Sequence, residues 1–172
     1  ADRRLADHTP GGGACTHSVR CSQYIFTEAA RSPTHYMRSM LTGPPLIYSP
    51  RYSCEWPRTH RFAMSKFKDT FSVLERQPWF SPSLVHVPTP IPDEALTEAH
   101  EPEYYHAFCD GRLDEASERR IGFRELARTP GLIERTKLEC AGTVLATRLA
   151  LTHGIACNVA GGTHHAHASF GS

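Results

Sequence analysis

The chain has 172 residues, of which 40% are apolar and 22% are charged, and its formal net charge is +1. These values are normal for a globular domain with a single core. The near-neutral charge gives no electrostatic basis for direct nucleic-acid binding, and no apolar stretch approaches the length that spans a bilayer. We therefore expect neither a nucleic-acid partner nor a membrane span.

The first segment, residues 1–44, carries five arginines and three acidic residues among many serines and threonines. Its helical and strand periodicity is weak, and Gly11-Gly12-Gly13 lacks the preceding strand and following lysine of a phosphate loop. The composition fits a disordered tail, a wrongly assigned stretch of reading frame or an organellar transit peptide. We favour the first two and expect the folded domain to occupy residues 45–172.

From residue 45 onward, short apolar runs alternate with helical patterns. The predicted elements are a strand over 46–48, a helix over about 63–76, a second strand over 84–87 and helical turns that begin near Pro92 and Pro102. Asp110-Gly111 is expected to end the last of these helices. Four apolar residues share one face of the first helix and are predicted to pack in the core: Met64, Phe67, Phe71 and Leu74.

A long helix is predicted after Thr129 and Pro130, which suit its N-cap and first turn. Apolar residues then recur at helical spacing, at Leu138, Ala141, Leu145 and Leu149. His153 provides a favourable last turn, and Gly154 is a typical helix-ending residue. Helices that alternate with strands predict an α/β fold with a parallel sheet.

A glycine turn and two adjacent histidines follow this helix. Residues 155–160 form a nearly continuous apolar run, which predicts a strand buried on both faces of a parallel sheet. Gly161 and Gly162 then lead to His164 and His165 at the carboxyl end of that strand, where open α/β sheets bind ligands. Neighbouring imidazoles are costly to bury because each ring has two nitrogens to satisfy and two charged rings repel. We interpret the pair as a site of proton chemistry.

Taken alone, a His-His pair is more often a surface or capping feature than a catalytic one. His167 would extend the pair to a local metal-binding cluster, but we interpret it as part of a solvated loop and not as a ligand. A catalytic role nevertheless becomes the favoured interpretation, because four segments of the chain match one family in the same order.

Those segments resemble the class IV histone deacetylases of the arginase/deacetylase superfamily. They are LIYSPRYSC at 46–54, HRFAMSKF at 60–67, the HEPEYY, GRLD and RIGF runs within 100–123, and ACNVAGGTHHA at 156–166. The sequence departs from the family pattern at Arg61 and Ala63, and at Arg124-Glu125, where Pro-Trp is expected. The resemblance implies an arginase/deacetylase-like parallel sheet with flanking helices, incomplete at its carboxyl end.

The function implied by the resemblance is that of a zinc-dependent deacetylase acting on acylated lysine of histones or other proteins. By family analogy, His165 is the general base toward the attacking water and then the acid that protonates the lysine nitrogen. His164 hydrogen-bonds the water and steadies the developing charge. Gly161 and Gly162 allow the backbone to turn beneath the acyl tunnel.

The zinc ligands of the family, an Asp-x-His pair and a later aspartate, follow the double histidine, as does its transition-state tyrosine. We therefore expect the metal ligands downstream of Ser172, and we expect this chain to be the amino-terminal part of a deacetylase that is inactive alone. Two alternatives stay open: a non-catalytic deacetylase-like module that binds acyl-lysine or a partner protein, and a deacetylase of small molecules such as acetylated polyamines.

The six cysteines contain no C-x-x-C pair. This spacing favours reduced thiols in an intracellular compartment. The nucleus or cytoplasm is expected, and an organelle if residues 1–44 are a transit peptide.

Overall fold

The computed structural model describes residues 43–161 and 165–171. Three short parallel strands form its sheet in the order β2-β1-β3. They are β1 (Leu46–Ile47), β2 (Val85–His86) and β3 (Cys157–Asn158). The central strand pairs through Leu46 with Val85 on one side and with Cys157 on the other. The described part of the chain is therefore α/β, with a small parallel sheet and flanking helices, as the sequence predicts.

Helices occupy most of the chain between the strands. The α-helices are α1 (Lys66–Leu74), α2 (Asp93–Thr97), α3 (Pro102–Cys109), α4 (Glu115–Ile121) and α5 (Pro130–His153). Short 3-10 helices cover Pro50–Tyr52, Pro82–Leu84 and Arg124–Arg128. None of the helices in the described ranges combines the length and the apolar character that crossing a membrane requires.

The predicted helix boundaries at prolines and glycines are confirmed. Pro102 and Pro130 each occupy the first position of a helix, where a missing backbone N–H costs nothing. Gly111 and Gly154 follow α3 and α5 with φ of +63° and +85°, a conformation that glycine adopts without a Cβ penalty. The predicted first helix is too long, because α1 begins only at Lys66 and ends at Leu74.

Helix α4 was not predicted, although its sequence contains both of the expected end signals. The side chain of Asp114 accepts a hydrogen bond of 2.8 Å from the backbone N–H of Ser117, which caps the first turn. Gly122 ends the helix with φ of +87°. An Asp N-cap and a glycine eight positions later were therefore enough to place this helix.

The prediction of a strand over 155–160 buried on both faces is wrong in extent and in burial. Only Cys157 and Asn158 join the ladder, both are half-buried, and Ile155 is 43% exposed. The reason is that β3 has one strand neighbour, β1, within the described part of the chain, so its other edge is uncovered. A continuous apolar run predicts a strand but does not reveal how many neighbours cover it.

The hydrophobic core packs the 3-10 segment and α1 against the first half of α5. Its buried members are Tyr48, Tyr52, Met64, Phe67, Leu132 and Leu138. Met64 and Phe67 are thus confirmed as core residues, and Phe71 packs against the core edge by stacking on Tyr48 with ring centroids 3.8 Å apart. This packing brings α5 directly beside the ends of β1 and β3.

Close approach of α5 to Tyr52 requires a glycine. A Cβ built on Gly142 would lie 2.1 Å from the Tyr52 hydroxyl and less than a van der Waals contact from the Asn158 amide, at 2.8 and 2.9 Å. Tyr52 is fully buried and its hydroxyl is hydrogen-bonded, so the ring has little freedom to move aside.

We expect Gly142→Ala to lower the free energy of unfolding by about 1–3 kcal/mol, because the added methyl overpacks this contact. In an open helix interior the same change would raise stability by roughly 0.5–1 kcal/mol, so the sign of the effect reports the contact. Urea unfolding measures it. Gly131→Ala is the matched control in the same helix, since its Cβ would meet only Cys54 Cβ at 3.3 Å.

Adding Tyr52→Phe to Gly142→Ala should recover part of the loss, because it removes the atom nearest to the new methyl group. A Gly142→Ala protein as stable as the unchanged protein would contradict this account of the packing.

Candidate functional site

A cavity of about 330 Å³ lies at the carboxyl end of β3. In the order β2-β1-β3 the chain passes from β1 to β2 on one side and then crosses to β3 on the other side of β1. Ligands of open α/β sheets bind outside the carboxyl ends of the strands near such a switch point. The lining of the cavity includes Tyr104 of α3, Arg135 and Glu139 of α5, and Asn158, Ala160 and Gly161 at the end of β3.

Asn158 connects the end of β3 to the core and to α5. Its Oδ1 accepts hydrogen bonds from the Tyr52 hydroxyl at 3.0 Å and from the Ala160 backbone N–H at 3.3 Å. Its Nδ2 donates to the Glu139 carbonyl at 3.2 Å and to the Thr143 hydroxyl at 3.3 Å. The one polar residue in the apolar run thus uses both ends of its amide to hold the chain where it leaves the strand.

Arg135 and Glu139 form a buried ion pair in the wall of the cavity. Their exposed fractions are 2% and 6%, and the Arg135 Nη2 contacts the Glu139 carboxylate directly. The Arg135 Nε donates to the Tyr52 carbonyl at 2.7 Å, and Nη2 also lies 3.4 Å from the Gly161 carbonyl oxygen. The guanidinium therefore links the core, helix α5 and the turn that follows β3.

Burial dominates the electrostatics of this pair. It raises the pKa of Glu139 to about 7, although Arg135, Lys66 and the Gly161 backbone all act to lower it. Burial also lowers the pKa of Arg135, against the attraction of Glu139. The cavity wall therefore contains a carboxyl group that can change its charge near neutral pH.

Of the four residues predicted as the site, two are among the described residues and two are not. Gly161 is described, and its carbonyl faces Arg135. A Cβ built on it would meet no described atom within 4 Å. His165 is also described and is exposed. Gly162 and His164 lie outside the described residues, so the geometry of the predicted pair stays a prediction.

The last described segment, residues 165–171, begins with His165 and is anchored on the amino-terminal end of α3. The Glu101 backbone N–H donates to the Ala168 carbonyl at 2.9 Å, and the His100 Nδ1 lies 3.1 Å from the His167 carbonyl oxygen. The Arg120 guanidinium lies 3.3 Å from the centroid of the Phe170 ring. The two ends of the histidine motif, Gly161 and this segment, are therefore each attached to a helix.

His167, predicted to belong to a solvated loop, is exposed, and its ring stacks on Phe170 with centroids 4.0 Å apart. Within residues 43–161 and 165–171, no group of three or more histidine, cysteine, aspartate or glutamate side chains could hold a metal ion. The zinc ligands that the resemblance implies are expected outside these residues and stay a prediction, and no metal-dependent step can be derived from the described residues.

The Arg135–Glu139 pair and the Asn158 network were not recognised in the sequence. A signal for both was present. Arg135 and Glu139 lie at i and i+4 on the face of α5 that also carries the buried Leu138, where a solvated ion pair would not be expected. Asn158 is the single interruption of an otherwise apolar strand, which indicates a polar group with a specific partner.

No protein-family model matches this chain. It is similar to an uncharacterized protein of Picosynechococcus sp., with 43% identity over 131 residues. The match covers 76% of this chain and 42% of the other protein. The chain therefore spans less than half the length of the relative that it matches.

We expect Asn158→Ala to lower the free energy of unfolding by about 1–3 kcal/mol, because it leaves the buried Tyr52 hydroxyl and the Ala160 N–H without their acceptor. Urea unfolding again provides the measurement. Thr147→Ala is the control: it removes an exposed hydroxyl that bonds only within α5 and should change stability by less than about 0.5 kcal/mol. Equal effects of the two substitutions would show that the Asn158 network is not needed.

Proposed function

We propose that this chain carries the proton-transferring part of a zinc-dependent lysine deacylase, an amide hydrolase of the class IV deacetylase type. The observation that carries the proposal is the position of Gly161. This residue begins the glycine and histidine motif, and it follows the carboxyl end of the parallel strand β3, in the wall of the cavity found there. Ligand sites of α/β proteins occur at this position, and the proposal assigns proton transfer to the two histidines of the motif that begins there.

Hydrolysis of an acyl-lysine amide needs an attacking water that loses a proton and a leaving amine that gains one. In the proposal, His165 takes the proton from the water and later delivers it to the lysine nitrogen, and His164 donates a hydrogen bond to the developing charge. The exposure of His165 is compatible with these steps, because its ring must exchange protons with the reacting groups.

Activation of the carbonyl group has no counterpart among the described residues. We assign the metal ligands to a part of the protein that the described residues do not include, and the arginase/deacetylase-like fold belongs to the same proposal. The length comparison is compatible with it, since more than half of the Picosynechococcus protein lies outside the match. Protein substrates, with acylated lysine as the reacting group, are proposed on the same basis.

We expect the protein expressed from its complete reading frame and loaded with Zn²⁺ to release the acyl group from an acetyl-lysine peptide, as detected by mass spectrometry. His165→Ala should lower kcat by at least about 100-fold, the usual contribution of a general acid–base group. His153→Ala is the control, because this exposed histidine lies in the last turn of α5, before the strand. It should keep the activity of the unchanged protein.

Dialysis against a chelator should abolish turnover and added Zn²⁺ should restore it, whereas residues 1–172 alone should remain inactive. Three results would reject the proposal: His165→Ala with full activity, turnover that survives chelation, or hydrolysis of acetylated polyamines without hydrolysis of the peptide. Binding of the acetyl-lysine peptide without turnover would favour the non-catalytic module instead.

A further inference from the structure

The Arg135–Glu139 pair has no part in the proton transfers proposed above, although it lies in the wall of the same cavity. It is the most completely buried of the ion pairs in the described ranges. A buried pair is a weak source of stability, because desolvation offsets most of the attraction and an apolar pair of similar volume often serves as well. What the pair contacts is therefore a better guide to its role than its own energy.

Arg135 is fixed from several directions. Its Nε bonds the Tyr52 carbonyl at 2.7 Å, and its guanidinium lies 4.5 Å from the centroid of the Phe67 ring. These contacts come from the core and leave Nη2 directed toward Glu139 and the Gly161 carbonyl. The donor that faces the turn is thus held by packing and has little rotational freedom.

Glu139 completes the contact from the other side of the same peptide unit. The Gly161 backbone favours the charged form of the Glu139 carboxylate, and the Gly161 carbonyl faces Arg135. Both members of the ion pair therefore act on this one peptide unit. The carbonyl of Glu139 also accepts a hydrogen bond from Asn158 Nδ2, so that the same turn of α5 holds the end of β3, three residues before Gly161.

We propose that Arg135 and Glu139 are positioning residues: together they hold the peptide at Gly161, at the point where the chain leaves β3 for the histidine motif. The effect on turnover rests on the proposed function. The effect on the Gly161 peptide does not, because it concerns only the contacts between α5 and the turn.

The contact should depend on pH. A charged Glu139 carboxylate attracts the Gly161 N–H, whereas protonation removes that charge and weakens the attraction. The groups that face the Glu139 carboxyl are Arg135 on α5, Lys66 at the start of α1, the Tyr52 hydroxyl, and the thiols of Cys54 and Cys140. Burial raises the pKa values of Tyr52, Cys54 and Cys140, so these three groups stay neutral at pH 7. Glu139 is therefore the group expected to titrate near pH 7.

The same burial has a consequence for stability. The pKa of Glu139 is raised in the folded protein, to about 7 from an ordinary value of 4.5, so folding favours the protonated form. The contribution of this group to stability is fully present below about pH 4.5 and is lost as the pH rises through about 7. Relative to Glu139→Gln, which is neutral throughout, the unchanged protein should lose stability across this interval in urea unfolding at stepped pH.

The direct test follows the Gly161 amide by NMR in the full-length protein labelled with ¹⁵N-glycine, with Gly161→Ala used only to assign the peak. In the unchanged protein the Gly161 signal should shift with a midpoint near pH 7. Glu139→Gln should abolish that titration, and Arg135→Met should move the signal at all pH values. Glu134→Gln is the matched control, because this exposed glutamate of α5 pairs with Arg51.

Turnover supplies the second readout. Glu139→Gln should lower kcat by about 10-fold with KM changed less than 2-fold and should flatten the pH dependence of kcat near pH 7, because the turn and not substrate binding is disturbed. Arg135→Lys should retain more activity than Arg135→Met.

A Gly161 amide that does not titrate in the unchanged protein, or that still titrates in Glu139→Gln, would overturn the inference whatever the activity. If the amide behaves as expected in a protein that hydrolyses no acyl-lysine, the positioning of the turn is confirmed and only the proposed function fails.

Discussion

The hydrogen bond between the Tyr52 hydroxyl and Asn158 is the contact on which the described fold depends. It joins the segment after β1 to the end of β3, and it passes through the space that Gly142 leaves open on α5. Three parts of the chain that are distant in sequence therefore meet at one buried point. Because the Tyr52 hydroxyl is removed from water, it cannot lose its Asn158 acceptor without the cost of an unsatisfied polar group.

The elements that the sequence predicted well are those whose ends are set locally. Proline at a first helical position and glycine with positive φ after α3 and α5 act through the conformation of one or two residues, so their effect can be read without the fold. The parallel arrangement followed from the alternation of strands and helices. The burial of β3 did not, because it depends on how many strands lie beside it, which no local pattern records.

Some residues of the candidate site could also be predicted from the sequence, and others could not. Glycine and adjacent histidines are visible as a motif, whereas Arg135 and Glu139 resemble one of the many i, i+4 pairs on helix surfaces. Only the packing of Tyr52 and Phe67 over this part of α5 turns that pair into a buried one. Both charges share a helix face with Leu138, which indicates their burial, but their contact with the Gly161 peptide depends on the fold and leaves no pattern in the sequence.

The packing of the core around Tyr52 both buries the Arg135–Glu139 pair and holds the Gly161 peptide beside it. The core that fixes Tyr52 also removes water from Arg135, which strengthens every polar contact that the guanidinium makes. The same loss of water raises the pKa of Glu139 to about 7, so that the carboxyl group beside the Gly161 peptide changes its charge near neutrality. A carboxyl group in water would be charged well below pH 7 and would leave the turn insensitive to pH in this range. The depth of the pair in the core is therefore what couples the position of the turn to proton concentration.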